Sequence, residues 1–336
     1  AYHLANLALH ALNAWLCAAL VYMWCGRFST GIGAALFFLF HLSAFRAVYW
    51  IAGVSLTLAT FFALVSTLAI LLFLRTKKKT YYASALAAFA LSIFAHSAAI
   101  SLLAPLAIVL FSRAAHKIKY AMAFPLIAIS ALAINSFYYP TPLNETSDFS
   151  IDAHVISNYF HMLFRLLAGA HCDAWLPTIG TDAQIGLGFF MAAILLFAAW
   201  KTSAIRAGAM WTFAALAPFS LWPDGANIWR YYYLASVGSS FLQALLLAHA
   251  TGRLATWIGA RTPLLKEAPF VLATLALTLV SIASSDAHQA VQYSFSGLYF
   301  AKSKHYEQAL PQYEKALELA PNNALAMSWR YHQAIC

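Results

Sequence analysis

The sequence predicts an all-helical, polytopic membrane protein, and three observations carry that prediction. Of its 336 residues, 62% are hydrophobic and only 9% charged, whereas soluble domains carry about 25% charged residues. Apolar runs close to the roughly 20 residues that a spanning helix needs recur as far as residue 284. The charges fall between those runs. Residues 1–144 hold nine Lys/Arg and no Asp or Glu, and the remainder holds eleven of each sign, so the first part supplies the whole net charge of +9. In a soluble protein such an excess would point to nucleic acid. Between apolar runs it marks membrane loops, and no nucleic-acid partner is expected. The four cysteines, Cys17, Cys25, Cys172 and Cys336, form no Cys-x-x-Cys pair, which excludes a disulfide scaffold and a cysteine zinc site.

Ten candidate spans follow in order: about 5–25, 30–45, 53–74, 81–95, 97–112, 120–137, 184–200, 208–222, 231–249 and 268–284. The fourth and fifth are short and read as a pair kinked around His96. Placing Arg27, the run Arg75–Lys79 and Arg113/Lys117/Lys119 in the cytoplasm puts Lys201, Arg206, Arg253, Arg261 and Lys266 there too by strict alternation. Thirteen basic residues then lie inside, against Arg46, Arg165 and Arg230 outside. The expected location is the bacterial inner membrane in preference to the endoplasmic reticulum, with both ends in the periplasm or lumen. The apolar stripe of 155–168 is expected to lie in the outer interface. Asn144-Glu145-Thr146 is a glycosylation sequon on the outer side. The chain opens at Ala1 inside a helical pattern, which reads as a piece of a longer protein.

From about residue 290 the apolar runs stop. Gly297, Phe300, Ala309, Tyr313, Ala316 and Pro321 fall on the signature positions of a 34-residue tetratricopeptide repeat. Small residues at three of these positions let two helices approach, and Phe300 and Tyr313 fill the gap between them. The expected division is therefore a transmembrane domain at 1–285 and, at 286–336, the start of an outward-facing repeat array. Such a tail suits a protein partner.

Three further stretches complete the pattern: Tyr2–Ala14 with its His3, Asn6, His10 and Asn13; His41 followed by Val48–Gly53; and Arg230–Gly238. With a repeat tail after the last span, the chain resembles the transmembrane-and-tetratricopeptide O-mannosyltransferases and their bacterial relatives, of the GT-C superfamily. The resemblance covers roughly 2–112 and 210–336. It implies sugar transfer from a polyprenyl-phosphate-sugar lipid to a protein or glycan acceptor on the outer face, and it admits a divalent cation as cofactor. Two departures stand out. Leu42 and Arg46 occupy positions where such proteins carry Pro and Glu, and Ala95-His96-Ser97 stands where Ser-Lys-Glu is usual. The family's catalytic carboxylate lies in the first outer loop, which is expected upstream of residue 1.

Glycosyl transfer needs a carboxylate base and cationic groups for the departing phosphate. Asp173 and Asp224 are the candidate carboxylates, with loop solvation and turn formation as their plainer roles. Substrate-binding candidates are Arg230, Tyr231, His3, His41, Arg46 and His96. Arginine suits bidentate phosphate recognition, and the competing role for Arg46 and Arg230 is snorkelling to the interface. His3, Asn6, His10 and Asn13, spaced 3, 4 and 3, form one stripe on the first helix, for which bonding to neighbouring helices competes with ligand binding. Of the four, His3 is best placed for substrate. The spacing of His154, His161 and His171 fits no compact metal site, and no metal ligand is assigned. No span carries a mid-membrane acid, which disfavours an ion-coupled transporter. A non-catalytic membrane scaffold presenting its repeats to a partner is the rival reading.

Overall fold

The computed structural model describes residues 2–41, 44–49, 53–113, 118–138, 153–168, 179–221, 229–257, 259, 262–283, 285–302, 304–321 and 326–335. Every regular element among them is helical. Among the described residues, five helices are long and apolar enough to cross a membrane: Tyr2–Cys25 (α1), Val54–Thr76 (α4), Thr181–Lys201 (α9), Tyr233–Trp257 (α11) and, over Leu265–Ala283, α12 (Pro263–Ala283). α4 is the most enclosed of the five.

Some of the remaining apolar runs fold into shorter or broken helices, and here the structure departs from the sequence-based segments. The run at 30–45 is not one helix. It closes as α2 (Phe28–Leu39), about 18 Å long at 1.5 Å per residue, and a short α3 (Ala44–Tyr49) follows. At 97–112 a 3₁₀ turn, Ser97–Leu102, precedes α6 (Leu103–Arg113). The expected kink at His96 is present. His96 takes an extended conformation after α5 (Lys79–Ala95), and its Nδ1 accepts the Ala98 N–H at 3.2 Å. α7 (Ile118–Tyr138), 21 residues long with Pro125 inside it, and α10 (Ser203–Ser220), 18 residues long, each cover one predicted run, 120–137 and 208–222, as a single helix.

Sharp turns keep neighbouring helices antiparallel. Gly26 (φ 72°) joins α1 to α2, and Lys77 (φ 61°) ends α4 with its N–H on the Phe73 carbonyl at 2.8 Å. α4 and α5 are laced by Ser66 Oγ donating to the Ala85 carbonyl and Ser92 Oγ to the Ala59 carbonyl, both at 2.8 Å. One continuous apolar core runs through the body, from Val21 and Phe38 to Leu64, Leu163 and Tyr233.

α8 (Ala153–Ala168) carries the predicted apolar stripe. Its Met162, Leu163, Phe164 and Leu166 are buried in the body core, where α8 packs against α9 and α10 above all.

The tail forms α13 (Ser285–Lys302), α14 (Tyr306–Leu319) and α15 (Ala326–Ile335). Ala290, Ala309, Tyr313, Ala316, Ala326 and Trp329 close a core separate from that of the body. Gly297 is required by close approach, since a Cβ there would stand 2.9–3.0 Å from the Tyr313 ring.

Candidate functional site

The polar stripe on α1 organises one end of the bundle. Asn6 donates through Nδ2 to the carbonyls of Ala47 (2.8 Å) and Val48 (2.7 Å), and its Oδ1 accepts from Thr57 Oγ at 2.6 Å. That side chain is fully used in pinning α3 and α4 to α1. His10 Nε2 faces the Leu39 carbonyl at 3.1 Å and must donate to it. A neutral imidazole then leaves Nδ1 as an acceptor, so the Tyr233 hydroxyl, 2.8 Å away, donates to it. The same hydroxyl accepts from Asn13 Nδ2 at 3.2 Å, and Asn13 also donates to the Thr57 carbonyl at 2.9 Å. Asn6, His10 and Asn13 are all buried. Their role is thus inter-helix bonding, one of the two roles open from the sequence.

Tyr233 opens α11, so these bonds hold the 3₁₀ turn just before it, Trp229–Tyr232, which carries Arg230 and Tyr231. Tyr231 is half-buried and stacks on Phe219, with centroids 4.4 Å apart and planes at 11°. Phe219 also meets His96, tilted at 55° with centroids 6.1 Å apart. α3, whose backbone carries Arg46, packs against the same turn. The structure therefore brings His96 and Tyr231 onto one aromatic column and sets the Arg46 and Arg230 backbones beside it.

The other candidates separate. His3 is exposed on the first turn of α1. His41 is buried, and its Nε2 donates to the Leu166 carbonyl at 3.2 Å. Gln243 Nε2 donates to the Leu167 carbonyl at 3.1 Å. Together they bond carbonyls in the last turn of α8, where helix ends take side-chain partners, so His41 serves α8. Asp173 and Asp224 lie outside the described residues. Tyr232 and Tyr233 are fully buried.

No family model, no curated protein and no solved structure matches this chain. What the site can do therefore rests on its own geometry.

A second polar group joins His161 and Arg165, which the sequence reading considered apart, to Gln184, which it did not single out. His161 on α8 donates through Nε2 to Gln184 Oε1 at 2.9 Å, Arg165 Nε lies 3.4 Å from the same oxygen, and Gln184 Nε2 donates to the Ile179 carbonyl at 2.8 Å. Burial first, and the nearby Arg165 charge second, lower the His161 pKa to about 4, against the opposing bond to Gln184. The signal that could have completed it is Gln184, a polar residue at the start of an apolar run. Beside it, Val155, Ile156, Tyr159 and Phe160 of α8 face Pro218 and Leu221 across an open apolar cleft of about 790 Å³.

Of the described carboxylates in the body, Asp182 opens α9, and Glu267 accepts from Ser29 Oγ at 2.6 Å on α2. Among the described residues no group of three or more His, Cys, Asp or Glu is placed to hold a metal ion. The divalent cation that the resemblance admits therefore has no site assigned.

Proposed function

We propose that the chain is a GT-C-type membrane glycosyltransferase that moves a sugar from a polyprenyl-phosphate donor to a protein or glycan acceptor. In this reading residues 1–285 make ten crossings, four or five of them short. The candidate site and the tetratricopeptide tail at 286–336 then share the outer face of a bacterial inner membrane. The observation that supports it is the Tyr231–Phe219–His96 column beside the turn that carries Arg230. Aromatic faces suit the C–H face of a sugar, and a guanidinium at headgroup depth suits a lipid phosphate. The apolar cleft between α8 and α10 lies next to Phe219 in sequence and suits a lipid chain.

A non-catalytic scaffold is the second reading, supported by the separate core of the tail and by Met327 (82% exposed) and Tyr331 (65%) on α15. Donor-lipid binding to wild type, Arg230→Lys and Arg230→Ala at matched folded fraction separates the two. Loss of a hydrogen bond to a charged group weakens binding by about 1.5–3 kcal/mol, roughly 10- to 150-fold. The donor reading expects that loss for Arg230→Ala and a partial loss for Arg230→Lys, which keeps the charge without the fork. Equal affinity in all three overturns it and leaves the scaffold.

A further inference from the structure

The opposite end of the bundle has a chemistry that the donor site does not use. Arg27, Arg75, Lys77, Lys78 and Lys79 are all exposed on two turns, α1–α2 and α4–α5. The turns are tied together, because the Arg75 guanidinium donates to the Met23 carbonyl in the last turn of α1. Lys77 Nζ is likewise engaged, donating to the Leu74 carbonyl at 2.6 Å. Two of the five cations thus help build the platform, and Arg27, Lys78 and Lys79 present their charges to the surroundings.

The sequence has no Asp or Glu before residue 145, so α1 to α5 supply no acid at this end. Glu267 reaches it from α12, where it accepts from Ser29 Oγ at 2.6 Å, two residues from Arg27, and offsets part of the charge there. Both turns directly follow helices long enough to cross a bilayer, α1 and α4, which sets the charges at headgroup depth. Aromatic side chains accompany them: Phe28 is 69% exposed, Tyr22 is 49% exposed, and the two rings meet edge to face 6.4 Å apart. Exposed aromatic rings beside lysines mark a membrane–water interface.

We propose that this platform is a binding site for an anionic phospholipid, whose phosphate sits against Lys78, Lys79 and Arg27 while its acyl chains run along the exposed side of α1 and α2, past Tyr22 and Phe28. A juxtamembrane Lys or Arg adds about 1 kcal/mol to attraction for anionic lipid, which is roughly fivefold in affinity per residue. A topology signal spread over all the basic loops would show no such local dependence. The attraction should also weaken with salt.

The test titrates purified full-length chain in neutral detergent with phosphatidylglycerol and, separately, with phosphatidylcholine, and counts bound lipids by native mass spectrometry. Wild type should retain phosphatidylglycerol in preference to phosphatidylcholine. The double variant Lys78→Gln/Lys79→Gln should lose about 25-fold in phosphatidylglycerol affinity, two fivefold steps, while Lys78→Arg/Lys79→Arg keeps it and reports on folding. Lys201→Gln/Arg253→Gln removes the same charge from other helix ends and should change affinity less than twofold. Equal affinity in the Gln double variant, an equal loss in the Lys201/Arg253 control, or phosphatidylcholine bound as tightly as phosphatidylglycerol would each overturn the proposal.

Discussion

The body and the tail of this protein are both helix on helix, yet they join their helices by different means. In the body, α1 is tied to α2, α3, α4 and α11 through Asn6, His10, Asn13, Thr57 and Tyr233, a buried set of side chains bonded to one another and to backbone carbonyls. In the tail, α13 and α14 meet through Gly297 against Tyr313, with Ala309 and Ala316 buried alongside. The difference follows from the solvent. Lipid is as apolar as leucine, so burying leucine between spans gains little, and selectivity falls to hydrogen bonds and to close backbone approach. In water the burial of apolar surface is itself the driving force, so shape suffices.

Close approach in the body is testable on α9, where two glycines stand two residues apart in different surroundings. A Cβ on Gly188 would lie 1.9 Å from the Phe160 carbonyl oxygen of α8, whereas Gly186 has nothing within 4 Å. Gly188→Ala should force α8 off α9 and destabilise by about 3 kcal/mol or more, at the upper end of overpacking effects. Gly186→Ala should stabilise by up to about 1 kcal/mol through helix propensity. Thermal unfolding in detergent reads both, and equal effects would dissolve the claim that α8 docks by backbone contact.

The tail offers the matching experiment. Gly297→Leu should push α13 from α14, with an overpacking effect of about 1–3 kcal/mol, and should leave membrane insertion unchanged. Limited proteolysis of the tail is the readout. Unchanged protease resistance would remove the small-residue joint and with it the repeat reading.

A smaller effect separates the regions by pH. The His161 pKa in the folded protein, about 4, lies below its ordinary value of 6.5. The unfolded chain therefore binds the proton more readily, so the contribution of His161 is fully present above pH 6.5 and is lost as pH falls toward 4. Allowing for partial solvent access, the loss is on the order of 1–2 kcal/mol. The body should melt earlier on acidification through that window, and His161→Gln should flatten the response. A wild-type profile as flat as that of the variant would contradict the assignment.

The comparison also explains what the sequence made legible. The spacing of Asn6, His10 and Asn13 and the small-residue pattern of the tail are local, each confined to one or two helices; Asn6, His10 and Asn13 are buried, and so are Ala309, Tyr313 and Ala316 of the tail. The bonds from His41 to Leu166 and from His161 to Gln184 join residues 125 and 23 positions apart, and no periodicity encodes them. The stop of α2 at Leu39 was hidden for a related reason. Residues 31–40 carry no polar side chain and His41 is the first break, so hydropathy sees little boundary at Leu39, whose carbonyl takes its bond from His10 across to α1. The column of His96 and Tyr231 was half legible. Both were singled out as candidates, but the ring that joins them, Phe219, is one of 25 phenylalanines and carries no mark of its own.

The claim that named hydrogen bonds join the body is tested most directly by a double-mutant cycle on His10 and Tyr233. The variants are His10→Phe, Tyr233→Phe and the pair, each unfolded reversibly in the same detergent. Bonds between spans average about 0.6 kcal/mol and reach about 1.7. The hydroxyl of Tyr233 serves both His10 and Asn13, so a favourable coupling of about 1 kcal/mol or more is predicted. Strictly additive effects, with no coupling between the two sites, would contradict it.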